Sequence, residues 1–223
     1  MYHKIGPRPR GVRIKGLYVS PELFEKQLAE LVEAGFTTVP FGKLPPGENA
    51  AKSLAFTFDD GFLNTFKHAL EPLARHRLSG IQFLVADRIG QFNEWEVQHE
   101  EVREPLMDAA QIKDWLAAGH AIGAHTLTHP FLTRVSFREA REEVLSGKKK
   151  LEDLFGVRIR HFCYPYGDRN EAISALVQEA GFETACTTDF GVNTQSTDPF
   201  QLRRIMVRHR SISIKAITAS ITQ

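Results

Sequence analysis

Cysteine is nearly missing: Cys163 and Cys186 are the only two among 223 residues. Two thiols do not make the disulfide framework of a small stapled fold. Both lie in apolar, strand-like runs, where a buried free thiol is the default. No charge of one sign dominates, with 28 Lys+Arg against 27 Asp+Glu and a formal net charge of +1. That removes the electrostatic case for a nucleic-acid or anionic-membrane partner. The one basic cluster, Lys148-Lys149-Lys150, reads as the solvated face of a helix. No apolar run is long enough to span a bilayer. The opening stretch, Met1-Tyr2-His3-Lys4-Ile5-Gly6-Pro7, lacks the apolar core of a signal peptide. The expectation is a soluble protein, cytoplasmic as written and extracytoplasmic if a leader was removed.

What is present is a repeating order of helix, glycine, strand and polar loop. Gly35, Gly80, Gly119, Gly156 and Gly181 each fall between a helical and a strand-like segment, and Glu33-Ala34-Gly35-Phe36 reappears as Glu179-Ala180-Gly181-Phe182. Ser20-Pro21 reads as a cap and first helical residue. Asp108 with Gln111, and Ser136 with Glu139, read as capping boxes. Leu44-Pro45-Pro46-Gly47 reads as a turn, and residues 202–207 as a late strand. Helices alternating with strands imply parallel βα units. The length suits a distorted (β/α) barrel of about seven parallel strands in a single domain, with an open doubly wound sheet as the alternative. Residues 87–105 have no clear period and read as a long irregular insertion in the domain spanning residues 1–223.

The residues that carry chemistry share one relation to three strands. Asp59-Asp60-Gly61 ends the apolar run Leu54-Ala55-Phe56-Thr57-Phe58; His125-Thr126-Leu127-Thr128-His129-Pro130 follows the run ending at Ala124; Tyr164-Pro165-Tyr166-Gly167 ends the run that starts at Val157. In parallel α/β folds the ligand site lies at the C-terminal strand ends. Asp-Gly alone is a common turn dipeptide. Two adjacent like charges, however, call for a cation or a shared proton. His125 and His129 have the i, i+4 spacing that turns two imidazoles to one side of a helical turn. Two histidines and a carboxylate make a three-ligand site with an open position, the pattern of a hydrolytic zinc site.

Thr57-Phe58-Asp59-Asp60-Gly61, His125-Thr126-Leu127-Thr128-His129-Pro130 and Phe162-Cys163-Tyr164-Pro165-Tyr166-Gly167 resemble the first three motifs of the polysaccharide deacetylases, carbohydrate esterase family four. The N-terminal pattern and the Tyr-Pro-Tyr-Gly form are similar to the subgroup acting on exopolysaccharides such as poly-N-acetylglucosamine. The resemblance implies that Asp59 is the general base. Asp60, His125 and His129 would hold a divalent ion, most simply zinc, and the Tyr166 N–H would serve the oxyanion hole. It implies an acetylated polysaccharide or oligosaccharide as substrate, with removal of N-acetyl or, on the same site, O-acetyl groups. Two positions depart from the pattern. Cys163 stands where many members carry the Arg that orients the base. The last motif, which supplies a general acid, is matched only by Val207-Arg208-His209. These departures keep a sugar-binding domain with little turnover in view as the rival from another class.

Overall fold

The computed structural model describes residues 1–43 and 52–208. The expected turn at residues 44–47 and His209 lie outside that range.

The strands are short and the helices amphipathic. In chain order they are β1 (Lys4–Ile5), β2 (Tyr18–Val19), α1 (Pro21–Glu33), β3 (Thr37–Thr38), β4 (Ser53–Leu54), β5 (Phe56–Phe58), α2 (Leu63–Arg75), β6 (Gly80–Leu84), α3 (Glu94–Val97), α4 (Ala109–Ala117), β7 (Ala121–Ala124), α5 (Phe137–Phe155), β8 (His161–Cys163), α6 (Glu171–Glu179), β9 (Thr184–Phe190) and β10 (Leu202–Arg204). The caps form as the residue types dictate. Ser20 Oγ accepts the Leu23 N–H, and both Asp108/Gln111 and Ser136/Glu139 close reciprocal capping boxes. Each cap satisfies N–H groups that the first helical turn leaves without an intrahelical partner.

Six strands form one parallel sheet in the order β10-β9-β8-β7-β6-β5. The chain start joins its two edges. Tyr2 pairs in parallel with Phe58 beside β5, and the Val207 N–H, just past β10, donates to the Met1 carbonyl at 3.0 Å. The sheet therefore curls as a (β/α) barrel does, and residues 1–2 occupy the place of a seventh strand. Two further parallel pairs, β1 with β2 and β3 with β4, lie outside the six-stranded sheet.

The core fills the space between sheet and helices. Phe24, Leu28 and Leu31 of α1 are buried against Tyr2, Phe56 and Phe58, with the Tyr2 and Phe24 rings edge-to-face at 5.2 Å. Fully burying one such side chain contributes about 1.5–3 kcal/mol. Val32 and Leu154, which the helical period places inward, are instead exposed at the ends of their apolar stripes. The expected continuous strand over residues 54–58 is broken at Ala55: Ser53–Leu54 pairs with β3, and Phe56–Phe58 pairs with β6. The insertion at 87–105 is more ordered than its sequence suggests, since it carries α3 and is pinned by isolated bridges Phe92 to Pro105 and Phe62 to Leu106.

Candidate active site

The three motifs meet at the C-terminal ends of β5, β7 and β8. Asp59 and Asp60 follow directly on β5 and are both buried. Asp60 takes φ of 73° and Gly61 φ of 81°. A Cβ at Gly61 would also come within 2.9 Å of Leu84 Cδ2, so glycine suits the turn on both counts.

His125 begins the loop after β7, its N–H bonded to the Leu84 carbonyl at 2.9 Å. The expected helical turn from His125 to His129 is not formed. Residues 125–130 are irregular, with Thr126 at φ 66° and His129 at φ 72°. A positive φ is a genuine outlier for a β-branched residue, so the surroundings must enforce it. They do so through α5. Glu143 Oε2 accepts the N–H groups of Leu127 and Thr128 at 2.9 Å each, and Glu143 Oε1 accepts the Thr128 hydroxyl at 2.6 Å. Thr126 Oγ1 accepts the His129 N–H at 3.0 Å. Gly147 lets α5 come this close, because a Cβ there would stand 3.0 Å from the Thr126 carbonyl carbon.

This loop achieves what a helical turn would have done: both imidazoles face Asp60. His125 Nε2 and His129 Nε2 are each 3.3 Å from Asp60 Oδ1, and 3.2 Å from each other. Three ligand atoms at zinc–ligand distances of about 2.0–2.1 Å from one tetrahedral ion stand about 3.3 Å apart. The buried triangle therefore has the size and donor set that such an ion requires. Burial pushes the Asp60 carboxyl up, but the two imidazoles overrule it and hold it well below the usual carboxylate range. The His125 Nδ1 lies 2.7 Å from the Cys163 carbonyl oxygen, which fixes the Nδ1–H tautomer and leaves Nε2 free to ligate.

Asp59 faces a different partner. Arg204 of β10 is buried beside it and donates from both terminal nitrogens, Nη1 to Oδ1 and Nη2 to Oδ2, at 2.7 Å each. The remaining donors are also used: Nε bonds the Thr187 carbonyl at 2.8 Å, and Nη2 lies 3.2 Å from Cys163 Sγ. Burial alone would raise the Asp59 pKa; the Arg204 charge and its hydrogen bonds hold it below the ordinary value. So Cys163 does not leave the acid unoriented. Its small side chain admits a guanidinium arriving from another strand. Asp59, His125 and Cys163 also cluster closely enough to suggest a metal. However, both Asp59 oxygens are committed to Arg204, and burial keeps Cys163 protonated.

His3 stands on the other side of Asp59, its Nε2 3.8 Å from Oδ2, and is mostly buried. Tyr166 lies in the short turn at Pro165–Gly167 with φ of 59°, its ring edge-on to His129 at 4.6 Å. Sequence reasoning missed Arg204 as a site residue. The available signal was the adjacent pair Arg203-Arg204 inside an otherwise apolar run from Leu202 to Val207, where strand alternation turns one of the two inward.

The polysaccharide deacetylase family model matches residues 47–185, a stretch that holds the Asp pair, both histidines and Tyr166. The chain belongs to the polysaccharide deacetylase family. Among curated members, it is 24% identical to YxkH of Bacillus subtilis over 217 residues, covering 93% of this chain and 70% of that one. It is 28% identical to a peptidoglycan-N-acetylglucosamine deacetylase of Bacillus cereus over 137 residues. That match spans 61% of this deacetylase-family chain and only 56% of the Bacillus cereus protein. In fold it superposes on the IcaB structure from Ammonifex degensii with a TM-score of 0.81 and 24% identity, covering 98% of this chain and 93% of that one. No helix among the described residues is long and apolar enough to cross a membrane.

Proposed function

We propose that this deacetylase-family chain hydrolyses the acetamido group of N-acetylated sugars in a polysaccharide or oligosaccharide, with a divalent ion, zinc by preference, held by Asp60, His125 and His129. The observation that carries this reading is the pairing of two unlike carboxylates. Asp60 joins two imidazoles in a ligand triangle, while Asp59, one residue away, is kept out of it by Arg204. Adjacent carboxylates held in different environments take different roles. Relatives named as deacetylases of peptidoglycan N-acetylglucosamine and of chitooligosaccharides support the N-acetylated sugar as substrate class.

A divalent ion in the triangle would supply Lewis acidity toward the acetyl oxygen and a lowered pKa for attacking water. The protein's own groups do the rest. Asp59 accepts the proton of the attacking water, as a general base must, and Arg204 keeps it ionised and aimed. The Tyr166 N–H donates toward the oxyanion that develops on the acetyl oxygen. The leaving amine needs a proton. His3, against Asp59, is the imidazole that the described residues offer for this step, and His209 is the candidate from the motif pattern. The buried Arg204–Asp59 pair removes the main reason for reading the chain as a domain without turnover, since it does for the base what the missing arginine would have done.

The test is acetate release from N-acetylglucosamine oligomers by the purified chain. Release that stops with a chelator and returns with added zinc is expected. No release from any N-acetylated oligomer in metal-replete buffer would overturn the reading.

A further inference from the structure

The two imidazoles of the ligand triangle are held in different ways. At His125 a hydrogen bond from Nδ1 to the Cys163 carbonyl sets the ring. At His129 the equivalent nitrogen is buried, and no protein group among the described residues lies within hydrogen-bond reach of it. Its ring is instead enclosed by other rings. Trp95 stacks on it at 4.7 Å with an interplanar angle of 26°, and the Tyr166 edge stands at 4.6 Å.

Trp95 comes from the insertion, and the insertion is fixed with unusual care. Trp95 is buried with Phe62, Val85 and Leu106 in a small apolar cluster separate from the main core. The next residue, Glu96, accepts a 2.6 Å hydrogen bond from the ammonium of Lys4, which is fully buried. Asn93 Nδ2 donates a 2.6 Å bond to the same Glu96 oxygen, and Asn93 Oδ1 accepts the Glu104 N–H at 2.6 Å. The Tyr18 hydroxyl donates to Glu104 at 2.6 Å. An ion pair without solvent is costly to form and weak as a source of stability, but it tolerates little displacement once made. Lys4 follows His3 in sequence as Glu96 follows Trp95. One buried pair thus anchors both the indole against His129 and the imidazole beside Asp59.

We propose that Trp95 is a positioning residue for His129: ring stacking supplied by the insertion orients this ligand where a hydrogen bond orients His125. The inference rests on the metal reading given above. Groups that orient metal ligands from outside contribute about 10–100-fold in affinity.

The test titrates zinc into the metal-free full chain against a chromogenic chelator. It compares wild type, Trp95→Phe, Trp95→Leu and Trp95→Ala, and follows thermal unfolding of each metal-free form. Trp95→Ala and Trp95→Leu should weaken zinc by about 10–100-fold, and Trp95→Phe, which keeps a ring to stack, should recover most of the loss. A purely structural role would track melting temperature and not recover with a ring. Equal zinc affinity in wild type and a folded Trp95→Leu or Trp95→Ala chain overturns the inference and leaves the metal reading standing. Failure of wild type to bind zinc overturns both. A measurement on the wild type needs no variant to fold: zinc should change indole emission, and Trp95→Phe should abolish the change while still binding. Wild-type emission that ignores a bound ion would show that the ion does not sit on the ring stacked against Trp95.

Discussion

Arg204 grips both carboxylate oxygens of Asp59 at 2.7 Å although 145 residues separate them. The pair joins β10 to the end of β5, the two edge strands of the sheet, across the curl that the chain start completes. It also divides the Asp59-Asp60 pair into one carboxylate committed to a cation of the protein and one turned to the imidazoles.

Removing the guanidinium should change the pH dependence of the reaction. Burial raises the Asp59 pKa and Arg204 more than reverses this, so Arg204→Met should move the acid limb of kcat to higher pH. The sign for stability follows. A depressed folded pKa contributes stability that is present above the unfolded value of about 3.9 and is lost as pH falls through the lower folded value. Arg204→Met should forfeit that contribution, and breaking a buried pair costs about 3–5 kcal/mol. Urea unfolding at pH 7 and pH–rate profiles measure the two effects; an unmoved acid limb would assign the limb to another group.

Asp59→Asn should retain zinc and lose turnover, because an amide cannot take the proton. A loss of about a hundredfold or more in kcat is expected for a general base. Metal content by mass spectrometry alongside acetate release gives both readings on one sample. Loss of the metal together with activity would place Asp59 among the ligands.

The proton donor is decided by comparing leaving groups. An amine leaves only when protonated, whereas an alkoxide needs less help. The variant lacking the true acid, His3→Ala or His209→Ala, should lose far more on an N-acetyl than on an O-acetyl sugar. Small, equal losses on both substrates would remove that histidine from the step.

Glu143→Gln probes the loop clamp. The amide oxygen can accept some of the bonds that Glu143 makes to Leu127 and Thr128, but without charge. Hydrogen bonds to charged groups contribute about 1.5–3 kcal/mol. The variant should melt earlier and bind zinc less tightly, and Glu143→Asp should not restore either, being one methylene short. Unchanged zinc affinity in a destabilised chain would confine Glu143 to folding.

Much of this protein was legible in residue order alone. Local rules operate within a turn or two of chain, so the caps at Ser20, Asp108 and Ser136 and the placement of Asp59, His125 and Tyr166 after apolar runs could be read directly. Parallel βα order then sends those residues to one rim. What sequence could not settle depended on contacts between distant segments. The i, i+4 spacing of His125 and His129 suggested a helical turn, but Glu143 from α5 draws the loop into positive-φ conformations that no local propensity favours. Cys163 suggested an unsupported base, because an arginine on the far edge strand is invisible until the sheet curls and brings the ends of β10 and β5 to either side of residues 1–2. Trp95 lay in a stretch without period, and its place on His129 depends on distant contacts, the buried Lys4–Glu96 pair and the packing against Phe62, Val85 and Leu106. Spacing along the chain determined that Asp59, Asp60, His125, His129 and Tyr166 reach one rim; curvature of the sheet and packing of the insertion decided that Arg204 and Trp95 join them.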